Sequence, residues 1–234
     1  MDAPKILIAA PQHISKMYAF EAYVANLRLL TFENVDFYFS DNSETEENSL
    51  HIKSLGFNCN WLAPIEGETI FERIARSHND CRKHFLDGDY THLLHLETDV
   101  ICPIDTIERL LAFEKPIVSG YYDIYFGENR QPMIMTIDYH HKRIKSFRAP
   151  TYIEHEEPMF FDGSLKEVFQ CGLGCVLIRR DVLQMLEFRV KVGEQLSSAD
   201  TYFYNDLYAN NVPVYVDTTL SCEHNNISWK NHLI

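Results

Sequence analysis

The strongest constraint on this chain is an alternation between apolar runs of strand length and segments of helical period. "KILIAAP" reads as a strand and "KMYAFEAYVANLRLLTF" as an amphipathic helix, followed by a second strand, "VDFYFSDNS", that closes in turn-forming residues. In "SETEENSLHIKSLG", Ser43 with Glu46 three residues on predicts a capping box, the early acids suit the positive end of a helix dipole, and Gly56 predicts the stop. "FNCNWLAP" is a short strand, and "ETIFERIARSHNDCRKHFL" carries helical spacing in Ile70, Ile74 and Phe71, Ala75. "YTHLLHLETDVI" is the next strand, Pro103 takes the favoured first position of the helix "PIDTIERLLAF", and "KPIVSGYYDIYF" is a further strand. Such alternation predicts an α/β fold with a mostly parallel sheet covered by helices on both faces.

The second half changes character. "QPMIMTIDYHHKRIKSF" predicts a hairpin, and the Pro- and acid-rich "APTYIEHEEPMFFDGS" an excursion from the body of the fold. Regular structure returns in "FQCGLGCVLIRRDVLQML", a helix around "ADTYFYNDLYANN" and the strand "VPVYVDTTLSCEH". With no internal repeat, low-complexity block or flexible linker, residues 1–234 read as one domain. Its nucleotide-binding half ends near residue 122, and a mixed, antiparallel acceptor side runs from about 123 to 234.

Apolar residues at 46% and charged residues at 24% give enough material for a real core. A net charge of −13 argues against nucleic acid or an anionic membrane as partner, while leaving room for a local basic pocket. The opening residues lack the basic leader of a signal peptide, and no apolar stretch reaches the roughly 18 residues that span a bilayer. The six cysteines are scattered without a CxxC pair, which predicts reduced thiols and a cytoplasmic protein. Cys171 and Cys175 lack the second close pair that a zinc site of this kind needs and read as buried small residues.

Within "LLHLETDVI", Glu97 and Asp99 stand two apart in an apolar run, where unpaired carboxylates are costly to bury. On an extended strand, residues i and i+2 project to one side about 6 to 7 Å apart. At the carboxyl end of a sheet strand they would face the crevice where ligands bind, and a hard cation such as Mn2+ or Mg2+ suits them. The competing reading is that Asp99 caps the helix near Pro103 and Glu97 turns to solvent. "AAPQHIS" after the first strand is neither GxGxxG nor a P-loop, which counts against a dinucleotide dehydrogenase or an NTPase. His92 and His95, three apart on one strand, lie on opposite faces and read as structural; His140 and His141 read as solvated.

The ordered set "ILIAAP", "FYFSDNS", "IARSHN", "YTHLLHLETDV", "PIVSGYY", "QCGLGCVLIRRDVL", "ADTYFYNDL" and "YVDTTLSCEH" resembles the nucleotide-sugar glycosyltransferases of the GT-A fold, most of all their family 2-like group, from about residue 5 to 224. The resemblance implies a single GT-A domain that transfers a sugar from a nucleotide-diphosphate donor to a glycan or other acceptor hydroxyl. Glu97-Thr98-Asp99 stands at the family's DxD metal motif, with Glu97 departing from its first Asp, and His224 matches a late histidine that supplies a third metal ligand. Ala10 and Pro11 match the loop lining the base pocket, Asp41 the acid that recognises base or ribose, and Arg76 a basic residue facing the nucleotide.

Gly172 and Gly174 match a segment beside donor sugar and acceptor; the alternative is a tight bend before a buried strand. Asp200 matches the catalytic carboxylate, with Ala199 replacing the usual Glu before it, and would serve as the base of an inverting transfer. It could also cap the helix that follows. Arg76 could instead pair with Glu72 on its own helix. In the tail, Trp229 and Lys230 would close over the diphosphate. Two other readings stay open: a nucleotidyltransferase using paired acids and Mg2+, and a nucleotide- or sugar-binding module without turnover.

Overall fold

In the computed structural model, the described residues are 3–126, 129–136, 160–191 and 198–226. The chain begins with β1 (Ile6–Gln12), passes through a 3-10 turn at Ile14–Lys16 into α1 (Met17–Leu27), and continues as β2 (Val35–Asp41), α2 (Glu47–Ser54) and β3 (Asn58–Trp61). Then come α3 (Ile70–Asp87), β4 (His92–Leu96), β5 (Val100–Ile101), α4 (Thr106–Leu111) and β6 (Ile117–Tyr121). The second half contributes β7 (Asp123–Phe126), β8 (Asn129–Pro132), β9 (Ile134–Met135), β10 (Leu165–Val168), β11 (Gln170–Cys171) and β12 (Cys175–Arg179). It closes with α5 (Arg180–Met185), α6 (Ala199–Ala209), β13 (Val214–Ser221) and β14 (Glu223–His224).

Eight strands form one mostly parallel sheet in the order β10-β13-β6-β12-β4-β1-β2-β3. β10 and β12 run against the others. The sheet is buried on both faces because its strands are apolar on both sides. In β1, Leu7 and Ala9 pack with α3, α5 and α6, while Ile6 and Ile8 pack with α1, α2 and α4, as the two-residue period of a strand requires. In α1 the buried Ala19, Phe20, Tyr23, Val24 and Leu27 make the stripe that covers the second face.

Local signals were honoured unevenly. The capping box forms at Thr69 and Glu72, at the start of α3, and not at Ser43 and Glu46. Ser43 instead gives its hydroxyl proton to Asp41 Oδ1 (2.6 Å) and accepts the Ile14 N–H (2.9 Å), so a stronger carboxylate acceptor has taken it from the helix end. Gly56, at φ +92°, follows α2 as a stop residue. Pro103 precedes α4 rather than opening it; its carbonyl accepts from the backbone and hydroxyl of Thr106. The hairpin of the second half starts earlier than predicted, with β7 pairing β8; its residues 137–147 and residues 149–159 of the predicted excursion lie outside the described residues.

The two halves are joined at the end of α3. Arg180, the first residue of α5, donates to the carbonyls of Leu86 (2.6 Å), Tyr90 (2.9 Å), Gly88 (3.0 Å) and Phe85 (3.3 Å). A planar guanidinium thus satisfies carbonyls that a helix end leaves without partners. Replacing it strands partly buried acceptors, so Arg180→Ala should lower unfolding free energy by about 2 to 3 kcal/mol. Arg180→Lys should recover little, since one ammonium cannot span the same acceptors. Urea titration followed by circular dichroism checks both; a loss below about 0.5 kcal/mol would remove this residue from the account of how the halves are held.

Candidate metal and nucleotide site

The strand that carries the acid pair ends before reaching it. β4 stops at Leu96, and Glu97, Thr98 and Asp99 form a turn closed by the Val100 N–H donating to the Glu97 carbonyl at 2.9 Å. The turn serves the same end as the predicted extended spacing: one oxygen each from Glu97 and Asp99 and one nitrogen of His224 lie within 4.8 Å of one another. Among the described residues this is the one such grouping of His, Cys, Asp and Glu. Thr98 points inward and donates to Gln12 Oε1 at 2.5 Å, tying the turn to the end of β1. That bond occupies the Thr98 hydroxyl proton.

Lys16 makes the burial tolerable. Its ammonium lies 3.0 Å from Glu97 Oε2 and 3.0 Å from Asp99 Oδ1. Each contact has a gross Coulomb attraction on the order of 5 kcal/mol at an effective dielectric of about 20, enough to offset much of the desolvation. Tyr18 also donates to Asp99 Oδ2, at 3.4 Å. Burial pushes the Asp99 carboxyl up, but the neighbouring His224 and Lys16 outweigh it and hold it at about 2. For Lys16, burial works downward and the two carboxylates win, raising it. Asp99 is therefore not the helix cap of the competing reading.

His224 is delivered by β14, which pairs antiparallel with β5, His224 opposite Val100. The Asn225 N–H donates to the Asp99 carbonyl at 2.7 Å and closes the same contact. His224 Nδ1 is 3.0 Å from the Asp123 carbonyl and can only donate there, so Nε2 carries the lone pair of the neutral ring. Nε2 lies 3.7 Å from Asp99 Oδ2. Burial lowers the His224 pKa, yet Asp99 and Glu97 raise it further than burial lowers it.

What Gly172 and Gly174 approach is Tyr122. A Cβ at either glycine would overlap the Tyr122 ring or hydroxyl. The Gly174 N–H donates to the Tyr122 hydroxyl (3.2 Å), the Gly174 carbonyl accepts the Glu97 N–H (3.0 Å), and the Tyr122 ring meets His224 edge-on at 4.8 Å. The glycines therefore support the grouping of Glu97 and His224 from behind. On the other side of the turn, His95 donates from Nδ1 to the Leu173 carbonyl and accepts at Nε2 from His78 Nδ1 (3.0 Å). Burial lowers the pKa of both rings.

Asp200 is the second residue of α6, whose N-cap is Ser198, so it does not cap the helix. Its carboxyl is half-buried, and desolvation followed by the Glu97 charge raises it to about 6, against the pull of its own backbone N–H and Lys16. Asp41, at the end of β2, is fully buried; Oδ1 accepts from the Ser43 backbone and hydroxyl and from Asn48, while Oδ2 has no partner. Ala10 and Pro11 lie beside it at the end of β1, Pro11 opposite Ser40 and past the last pairing with β4.

Arg76 is not brought to the acids, nor to Glu72. Its guanidinium forks onto Glu68 (2.7 and 2.8 Å) and donates to the Ala63 carbonyl (3.0 Å). The positive charge beside the acid pair comes from Lys16, which precedes α1 and carries no motif; the one sequence signal was a lysine in the loop after the first strand. Gln12, Tyr18 and Tyr122 were likewise missed. Trp229 and Lys230, with His140 and His141, lie outside the described residues.

No protein-family model matches the chain, and no curated protein matches it. Among solved structures, A197 from STIV aligns with a TM-score of 0.48 and 17% identity, over 94% of this chain and 85% of that chain. That degree of likeness carries no argument about function. Among the described residues no helix is long and apolar enough to cross a membrane.

The contact between Gly174 and Tyr122 can be tested without any ligand. Gly174→Ala should destabilise the fold by about 1 to 3 kcal/mol, because the ring it meets is buried and cannot step aside. In a double-mutant cycle with Tyr122→Ala the two losses should fall short of additive, since the smaller partner admits the methyl. Additive losses would mean that the glycine matters for some other reason.

Proposed function

We propose that this chain is a metal-dependent glycosyltransferase of the GT-A type that moves a sugar from a nucleotide diphosphate to an acceptor hydroxyl, with inversion. The observation that carries the reading is one convergence: Glu97, Asp99 and His224 meet beyond the end of β4, with the Glu97 charge acting on the carboxyl of Asp200. β1 lies between β2 and β4, all three parallel, and the crevice at their carboxyl ends is where open α/β sheets bind nucleotides.

The donor set fits a divalent cation of the Mn2+ or Mg2+ kind: two carboxylates and an imidazole whose Nε2 faces them. When bound, such an ion would stabilise charge on the departing diphosphate. Asp99 and Glu97 would hold it, with His224 as third ligand. Asp41 Oδ2, buried without a partner, would accept a hydrogen bond from the base or ribose, which would relieve the cost of its isolation. Asp200 would take the proton from the acceptor hydroxyl. A carboxyl raised to about 6 is suited to that work, being ionised at neutral pH yet more basic than an ordinary aspartate.

Calorimetry with nucleoside diphosphates, with and without Mn2+, followed by donor hydrolysis and acceptor transfer, tests the scheme. Asp99→Asn should abolish metal-dependent nucleotide binding; unchanged manganese dependence would sink the metal assignment.

Asp200→Asn should leave donor binding intact and lower transfer by roughly 10²- to 10⁴-fold. Wild-type transfer should fall as pH drops through about 6, because the base is then protonated. The stability sign is opposite to that of a salt-bridged aspartate. The folded carboxyl at about 6 binds its proton more tightly than the ordinary group at 3.8, so stability declines as pH rises between them and is flat above. At neutral pH Asp200→Asn should thus be at least as stable as the parent; a variant with full turnover would show that Asp200 is not the base.

A further inference from the structure

Lys16 has no task in the proposed transfer, yet it holds the most contested position in the site. Its two contacts at 3.0 Å are to Glu97 and Asp99, the same carboxylates that group with His224 around a candidate cation position. A divalent ion approaching those oxygens meets a like charge already there. Both cannot keep short contacts to the pair without strong mutual repulsion, so one must yield.

Lys16 is built to yield. It is the last residue of the 3-10 turn, its side chain is 20% exposed, and its ammonium sits on a flexible four-carbon stem that can swing without backbone movement. The turn itself stays anchored, because the Lys16 N–H is held by the His13 carbonyl (2.9 Å) and the Ile14 N–H by Ser43 (2.9 Å). The Asp123 carbonyl fixes Nδ1 of His224 as a donor and leaves Nε2 aimed at the acid pair, so the neutral ring offers a lone pair to an ion that takes the place of the ammonium.

We propose that Lys16 is a tethered stand-in cation, which holds Glu97 and Asp99 together while no divalent ion is bound and competes with that ion for the same oxygens. The inference rests on the metal reading of Glu97, Asp99 and His224, and deepens it: metal affinity is set by a lysine that must be displaced.

The test needs no substrate. Mn2+ binding to the full chain is measured by calorimetry and by the electron paramagnetic resonance of free Mn2+, in wild type, Lys16→Met, Lys16→Gln and Lys16→Arg. The two neutral variants should bind Mn2+ about tenfold tighter or more, having lost the competing charge. They should also melt lower without metal and gain more from it than wild type does. Lys16→Arg, which keeps the charge, should stay as weak as wild type. Equal or weaker affinity in both neutral variants overturns the inference, and so does a Lys16→Arg as tight as Lys16→Met. Asp99→Asn separates the two layers. Binding that needs Asp99 but ignores Lys16 sinks the stand-in and leaves the metal site. No Mn2+ binding in wild type or in the neutral variants sinks both.

Discussion

A fully buried aspartate governs the arrangement at the top of this sheet. Asp99 can stay ionised there only with positive charge at hand, and Lys16 supplies it from the loop that leaves β1. The lysine stands immediately before α1, at the N-cap position. The β4–β5 turn has other neighbours: Gln12 on one side through Thr98, Gly174 on another through the Glu97 N–H, and β14 through Asn225. Each bond ties a different part of the chain to the same three residues. Precision at the site comes from this cross-bracing, which neither strand ends nor loops would provide alone.

The topology explains why so distant a residue as His224 belongs to the site. β12, running against its neighbours, is inserted between β4 and β6, so the Gly172–Gly174 bend falls next to the end of β4. β13 then runs parallel to β6 and emerges at the same edge, where β14 closes onto β5. The small residues at the bend and the large ring of Tyr122 are one packing decision: the ring fills the space that two absent side chains leave, and passes the constraint on to His224.

The alternation of strands and helices in the first half was legible because period and length are local properties, and the sheet follows them closely. That Glu97 and Asp99 converge was legible from their spacing, and that His224 joins them was expected from the family resemblance alone; the structure brings the three together. Lys16 and Tyr122 were not legible, because a lysine in a loop and a tyrosine between two strands signal nothing until the chain is folded around them. Arg76 shows the converse. The family resemblance set it facing the nucleotide, but Glu68, eight residues back, offers a bidentate carboxylate and holds the guanidinium. Ser43 was misread for the same reason: a helix-capping signal says nothing of the buried Asp41 that outbids the helix for the hydroxyl.

Asp99 and Asp200 illustrate how one region of a fold makes two different acids of one residue type. Asp99 is fully buried and Asp200 half-buried, and in both desolvation is the largest influence. Asp99 has Lys16 and His224 within reach and ends at about 2, a permanent anion fit to hold a cation. Asp200 feels the charge of Glu97 more than that of Lys16 and ends at about 6, able to exchange a proton near neutrality. Glu97 thus contributes twice, once through its own oxygen to the grouping with Asp99 and His224 and once through its field on Asp200. Under the proposed transfer, an ion that neutralised Glu97 would ease Asp200 toward its ionised form, while displacement of Lys16 would act the other way, so the two cations would exchange one stabilising influence on that carboxyl for another through Glu97.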